Sequence, residues 1–288
     1  MAIPGFQSGR VWRSTESVHL AGGKPVNVAR ILRRLGIPAT LVMPLGGSTG
    51  EFIGRACREL GIEVQAVSIE GETRTCVVVA NPQDGTATVM NEPGPPLHEE
   101  AGAEFLMLSL EQLEPGGLIL GSGSLPPGLS DEFYGHVAQE AHRLGAHFIL
   151  DSSGPALARA IPTAPWAIKV NRDELLQVTG EGTEDQGIEV VLDAGVQHVV
   201  VTHGKEGAVY AGRSGRLKVP AANITPINPI GAGDAFLAGL AGGLWRDMPW
   251  PEALRLASAT AGASAARFEP DIDPDPDLAA LLTSIGIE

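Results

Sequence analysis

A chain of 288 residues can bury a large core as one domain, and 43% hydrophobic with 19% charged residues reads as soluble and globular. Its 20 Lys+Arg against 34 Asp+Glu leave a formal charge of −14, which repels nucleic acid and acidic membrane surfaces. No apolar run reaches the roughly 18 residues of a membrane span, and no signal-peptide core opens the chain. Cys57 and Cys76 lack CxxC spacing, so free thiols in a cytoplasmic protein are expected.

The first 20 residues alternate weakly, through Val11, Arg13 and Thr15 and then Val18 and Leu20, which predicts extended chain. Gly22 and Gly23 then lead into Lys24, Pro25 and an amphipathic helix with Val28, Ile31, Leu32 and Leu35 at i, i+3, i+4 and i+7. Pro25 suits a first helical position and Gly36 closes the helix. Lys24 and Asn27 therefore sit at a helix N-terminus, either as a site for a polar ligand or as a plain turn with a solvated lysine.

A strand at 39–43 and a helix at 49–60 follow. Three strands at 64–69, 74–80 and 86–91 then succeed one another without helices, which implies antiparallel pairing in a small lid sheet. The extended N-terminal segment is expected to join it, so that 6–20 and 63–92 supply the lid. Within it Arg74 can swing over a bound phosphate or stay solvated.

From 97 helices and strands alternate: helix 97–113, strand 117–120, helix 130–144, strand 147–150, a short helix, strand 166–170. Polar stretches lie after these strands, where parallel sheets bind ligands: 121–128 with Ser124, 151–154, and 169–174 with Lys169. Asn171 and Glu174 are three apart at a helix start, which fits a magnesium ion with its waters or a capping box. Strand 199–201, a turn at 202–207 with Thr202, Gly204 and Gly207, strand 208–210 and strand 216–220 complete the sheet. The seven histidines show no zinc spacing.

Gly231-Ala232-Gly233-Asp234 opens an all-apolar helix to Leu244, and a second helix of small residues spans 252–267. Glycines and a helix N-terminus favour an anion, yet an acid stands among them. The conflict resolves if a phosphoryl group is transferred there: Asp234 takes a proton from the attacking hydroxyl while amides hold the moving charge. The plainer alternative is an ordinary helix start with a favourably placed Asp. An acidic connector at 271–277 leads to a last helix near 278–285.

Taken in order, Gly22-Gly23-Lys24 with Asn27-Val28-Ala29-Arg30, Thr73-Arg74-Thr75, Asn91-Glu92-Pro93-Gly94-Pro95, the 121–128 stretch GSGSLPPG, Asp151-Ser152-Ser153-Gly154, Asn171 with Glu174, and Gly231-Ala232-Gly233-Asp234 resemble the ribokinase-type (PfkB) carbohydrate kinases. The resemblance spans nearly the whole chain and is closest to the phosphosugar branch: 1-phosphofructokinase, minor-type 6-phosphofructokinase and tagatose-6-phosphate kinase. It implies one ribokinase-like domain over 1–288, a three-layer α/β/α fold with a β-sheet lid. Asp234 would be the base and Gly231, Ala232 and Gly233 the anion hole. Gly23, Lys24, Asn27, Arg74 and Ser124 would hold the sugar phosphate. Lys169, Asn171, Thr202, Gly204 and Gly207 would line ATP, with adenine against 259–263, and Asn171 and Glu174 would serve Mg2+ through water. A homodimer through the lid also belongs to the family pattern.

The chain departs from that pattern in three places. It starts after the family's first core strand and the sugar-binding Asp that follows it, so a core strand is expected to be missing. Leu20 stands where the phosphosugar kinases usually carry Asp, and Val170 replaces the usual Pro between Lys169 and Asn171. The expected reaction is ATP- and Mg2+-dependent phosphorylation of fructose 1-phosphate, fructose 6-phosphate or tagatose 6-phosphate to the bisphosphate. The alternatives are a kinase of an unphosphorylated sugar or nucleoside, against which two cations without a partner argue, and a truncated, non-catalytic sensor.

Overall fold

Six short runs build the main sheet: β5 (Leu118–Ser122), β6 (His147–Asp151), β7 (Ala167–Asn171), β8 (His198–Thr202), β9 (Ala208–Gly212) and β10 (Gly215–Val219). The computed structural model describes every residue except 82, 84, 85, 214, 274–276 and 288. The connection between the predicted strands at 74–80 and 86–91 and the acidic connector at 271–277 therefore lie partly outside the described residues.

The strand order is β10-β9-β8-β7-β6-β5, parallel from β5 to β8 and antiparallel beyond. Phe148, Ile149 and Leu150 of β6 and Val199, Val200 and Val201 of β8 are apolar and buried, and in β7 Lys169 interrupts the buried Ala167, Ile168 and Val170, as expected of strands covered on both faces. On one face Ile149, Val200 and Tyr210 pack with α1 (Lys24–Arg34), α8 (Ala232–Trp245), α9 (Trp250–Ala265) and α10 (Asp277–Ser284). On the other, Phe148, Leu150, Val199 and Val201 pack with α4 (Phe133–Leu144), α5 (Gly154–Ala160), α6 (Arg172–Thr179) and α7 (Glu184–Asp193). This is the expected three-layer α/β/α arrangement. β5, β6, β7 and β8 end in Ser122, Asp151, Asn171 and Thr202, and the register aligns Ser122 with Asp151 and Asn171 with Thr202. A polar row thus marks the carboxyl edge of the sheet.

α8 and α9 meet along glycines. A Cβ on Gly239 would stand 2.7 Å from the Ala257 Cα, and one on Gly243 the same distance from the Ala253 Cα. Only a residue without a side chain lets the two backbones approach so closely.

β1 (Thr40–Leu45) and β2 (Glu63–Ser68) form a separate two-stranded parallel sheet joined through α2 (Gly47–Glu59). β5 is the last strand of the six-stranded sheet, and among the described residues no ladder joins it to β1 or β2. The lid expectation needs correction here. Residues 63–68 do not belong to the lid: α2 precedes β2, and a helix between two strands builds a parallel crossover unit. Of the residues expected to form the lid, β3 (Cys76–Asn81) and β4 (Thr86–Asn91) pair as an antiparallel hairpin. The N-terminal segment joins it through its first residues: Ala2 bridges Ala80 and Glu16, and the Ile3 amide donates to the Ala80 carbonyl at 2.9 Å. α3 (Glu99–Leu110) returns the chain to the main body. No helix among the described residues is long and apolar enough to cross a membrane.

Candidate active site

α8 begins where Gly231 takes a φ of 88°. A Cβ there would stand 2.7 Å from the Pro270 Cβ, so backbone angle and space both demand glycine. The preceding loop is fixed by Asn228, whose Oδ1 accepts from the Ile230 amide at 3.0 Å while its Nδ2 donates to the Phe268 carbonyl at 2.8 Å. Of the three amides expected to face an anion, that of Ala232 donates instead to the Pro229 carbonyl at 3.2 Å. Among the described residues the amides of Gly231, Gly233 and Asp234 have no acceptor, so the open donors are those three.

Asp234 lies in the first turn of α8 and is buried. Its Oδ2 accepts from the Asn27 Nδ2 at 2.9 Å. The Lys24 ammonium lies 3.9 Å from its Oδ1 and donates to the Asp151 Oδ1 at 2.8 Å. Asp151 holds a second cation, because Lys169 donates to its Oδ2 at 2.8 Å. The Lys169 Nζ also stands 3.3 Å from where a Cβ on Gly233 would be, so it lies against the amides of the helix start. The Lys24 side chain is 41% exposed and that of Lys169 only 5%. Lys24 can therefore turn to an arriving anion, whereas Lys169 is fixed.

The two carboxylates are driven in opposite directions. Burial raises the Asp234 carboxyl above its ordinary range, the Asp151 charge adds to this, and Lys24, the Asn27 amide and Lys169 offset it only in part. For Asp151 burial again acts upward, but Lys169 and Lys24 together outweigh it and hold the group below the usual carboxylate range. Lys24 loses through burial and gains more from Asp151 and Asp234, so it is held charged. One carboxylate thus has its proton affinity raised, while the other has it lowered by the two cations it holds.

The other expected residues fall into three groups. Gly23 caps α1 and accepts the Asn27 amide at 3.0 Å, so it belongs to the same cluster. Ser124 is exposed, one residue past Gly123, whose N–H donates to the Asp151 carbonyl at 2.8 Å. Asn171 and Glu174 form the capping box: the Glu174 amide donates to the Asn171 Oδ1 and the Asn171 amide to the Glu174 Oε2, each at 2.8 Å. The Glu174 charge adds a small upward contribution at Lys24, behind those of Asp151 and Asp234. Thr202 closes β8, and Gly204 and Gly207 shape the tight turn into β9, with the His203 amide donating to the Gly207 carbonyl at 2.8 Å.

Arg74 is not part of the cluster. It is exposed between Thr73, tied to Gly46, and Thr75, whose amide donates to the Glu92 Oε2, and among the described residues no ion pair engages its guanidinium. The small-residue face at 259–263 is mostly covered: Ala259, Thr260 and Ala263 are buried, and a Cβ on Gly262 would stand 2.5 Å from the Ala222 Cβ. Sequence reasoning assigned no role to Asp151, although its place after the apolar run of β6 was a usable signal, nor to Asn228.

The assembly is a carboxylate of raised proton affinity, unpaired amides at a helix start and two ammonium groups. It can accept a proton from a hydroxyl while holding an anionic group in transfer. The pfkB family carbohydrate kinase profile matches residues 5–276. The 1-phosphofructokinase of Bacillus subtilis (strain 168) is 29% identical over 292 aligned residues, which cover 99% of this chain and 94% of that one. The phosphofructokinase-2 of Escherichia coli in complex with substrates and products is 26% identical, with a TM-score of 0.90 over 98% of this chain and 94% of that one. The tetrameric inhibited form of phosphofructokinase-2 from the same organism is also 26% identical, with a TM-score of 0.88 over 98% and 93%. The chain belongs to the pfkB family of carbohydrate kinases and is an ATP-dependent sugar kinase.

Proposed function

We propose that the chain transfers the γ-phosphoryl group of ATP to a hydroxyl of a hexose phosphate, among fructose 1-phosphate, fructose 6-phosphate and tagatose 6-phosphate, giving the bisphosphate. The observation that carries this reading is the buried Asp234, raised in proton affinity and set between Asn27 and Lys24 beside open amides. Asp234 takes the hydroxyl proton as the oxygen attacks. The amides of Gly231, Gly233 and Asp234 receive the charge of the phosphoryl group, and Lys169 faces it from the sheet. Gly23, Lys24 and Asn27 hold the sugar, with Ser124 at the rim and Arg74 reaching its phosphate from the lid side. Thr202, Gly204 and Gly207 line the nucleotide.

Asn171 and Glu174 offer hard oxygens suited to Mg2+, but Asn171 is engaged in the cap and Glu174 keeps one carboxylate oxygen free of it. Among the described residues no group of three or more His, Cys, Asp or Glu could hold a metal ion. Mg2+ is therefore expected through water and the ATP phosphates, where it would neutralise phosphate charge.

Coupled ADP release with ATP and Mg2+ against the three sugar phosphates, free fructose and free ribose tests the reading. Saturable turnover on one phosphosugar is expected; turnover on the free sugars alone would overturn it. The cations separate the cases further. Arg74→Met should raise KM for the phosphosugar about 10- to 100-fold, the worth of a charge-assisted hydrogen bond, and leave KM for a free sugar within about twofold. Equal effects on both would remove Arg74 from phosphate binding.

The lid leaves Val89 and Met90 of β4 exposed, with Val18 and Leu20 of the N-terminal segment also open. These apolar groups support self-association through the lid, and one resolved form of phosphofructokinase-2 from Escherichia coli is a tetramer. Light scattering should give twice the monomer mass, and Met90→Asp should restore the monomer.

A further inference from the structure

Arg30 lies on α1 one turn beyond Asn27 and is 6% exposed. All its described hydrogen bonds go to neutral oxygens. Nη1 donates to the Asn27 Oδ1 and to the Pro270 carbonyl, each at 3.2 Å, and Nη2 donates to the Ala21 carbonyl. The nearby Asp271 is taken by Arg34, with contacts of 3.0 and 2.7 Å. A guanidinium buried without a carboxylate in contact is costly, so its effect must lie in the atoms it orients.

Two of those contacts lead to the active site. Arg30 can only donate, so it fixes the Asn27 oxygen toward itself and turns the Asn27 Nδ2 to the Asp234 Oδ2. The Pro270 ring, whose carbonyl it also holds, backs Gly231 at the start of α8. We propose that Arg30 is a positioning residue: it sets the amide that holds the Asp234 carboxylate and seats Pro270 behind Gly231, aligning the base with the open amides. It touches no substrate, and the inference rests on Asp234 being the base.

The test compares Arg30→Met, Arg30→Lys, Asn27→Ala and the Arg30→Met/Asn27→Ala double variant in the full chain, with folding followed by circular dichroism. None of these changes touches the charged groups facing Asp234, which are Lys24 on α1, Asp151 on β6 and Lys169 on β7. The groups facing Arg30, namely Asp271, Glu269, Arg34 and Cys57, also stay unchanged. Arg30→Met should lower kcat about 10- to 100-fold, the worth of a lost hydrogen bond to a charged group. The acid limb of kcat/KM should move to higher pH, because Asp234 loses a donor to its ionised form. In the Asn27→Ala background the same change should cost less than it does in the wild type, the remainder being the Pro270 contact, and Arg30→Lys should recover part of kcat.

An unmoved acid limb, or losses that multiply in the double variant, would mean a merely structural role and overturn the proposal. If Arg30→Met does not fold, an Arg30→Lys enzyme with the wild-type limb and kcat overturns it alone. Asp234→Asn separates the two readings. If that variant is inactive while the Arg30 variants behave as wild type, only this inference fails; if it turns over fully, the base assignment fails with it.

Discussion

Asp234→Asn should reduce kcat by about 10²- to 10⁴-fold, the range a positioned general base supplies, while the chain stays folded. The isosteric amide keeps the volume at the start of α8, and Lys24 keeps its 2.8 Å bond to Asp151. What is lost is the proton acceptor. In the wild-type enzyme kcat/KM should fall with decreasing pH through the Asp234 pKa, because the base must be ionised. That limb lies above the ordinary Asp value, since burial raises the group.

Stability moves the other way. A carboxyl whose folded pKa is raised contributes stability that is full below the unfolded value and is lost as pH rises through the folded one. Asp234→Asn should therefore abolish this step between the two pKa values and leave the protein at least as stable as wild type at neutral pH. Initial rates from pH 4 to 9 with urea unfolding at the same points would check both. Turnover within tenfold of wild type would remove Asp234 from the chemistry.

Asp151→Asn should be the most destabilising single change in the site, by about 3–5 kcal/mol, the range for removing one partner of a buried ion pair. Lys169 is the reason: with its side chain 5% exposed, it has Asp151 as its ion-pair partner and little access to solvent. Lys24 is half-exposed and has Asp234 at 3.9 Å to turn to. The pH dependence has the sign opposite to that of Asp234. Asp151 is held low, so its contribution is present above the ordinary carboxylate pKa and is lost as pH falls through its depressed one. The double change Asp151→Asn/Lys169→Met should recover much of the loss, because the unpaired charge is gone. Urea midpoints of the two variants would show this, and a single variant within about 1 kcal/mol of wild type would refute the picture.

What could be read in advance divides by range along the chain. The strands β6, β7 and β8 were legible because three apolar residues stand in each before its polar end. The start of α8 was legible because Gly231, Gly233 and Asp234 are neighbours. The capping box of Asn171 and Glu174 was one of two local readings, and the structure realises it. Most of the failures are long-range. β2 looked like a lid strand, and only its pairing with β1 across α2 assigns it elsewhere. Asp151 gave no sign that it would gather Lys24 from 127 positions away and Lys169 from 18. Arg30 reads as one of several arginines on a helix, and nothing short of the angular placement of α1 against Ala21 and Pro270 separates it from the exposed Arg33. Helix α7 was not anticipated either.

The glycine seam between α8 and α9 bears on how such an enzyme can change. With Gly239 set against Ala257 and Gly243 against Ala253, the helix that carries Asp234 cannot slide or rotate without its neighbour. The proposed phosphoryl-transfer helix is therefore locked to its neighbour, and α1, with Lys24 and Asn27, shares its packed core. Among the described residues the β3–β4 hairpin, by contrast, shares no ladder with the six-stranded sheet, and Arg74 stands just before it. A change of acceptor is accommodated most easily on that outlying side, one side chain at a time, without disturbing the seam.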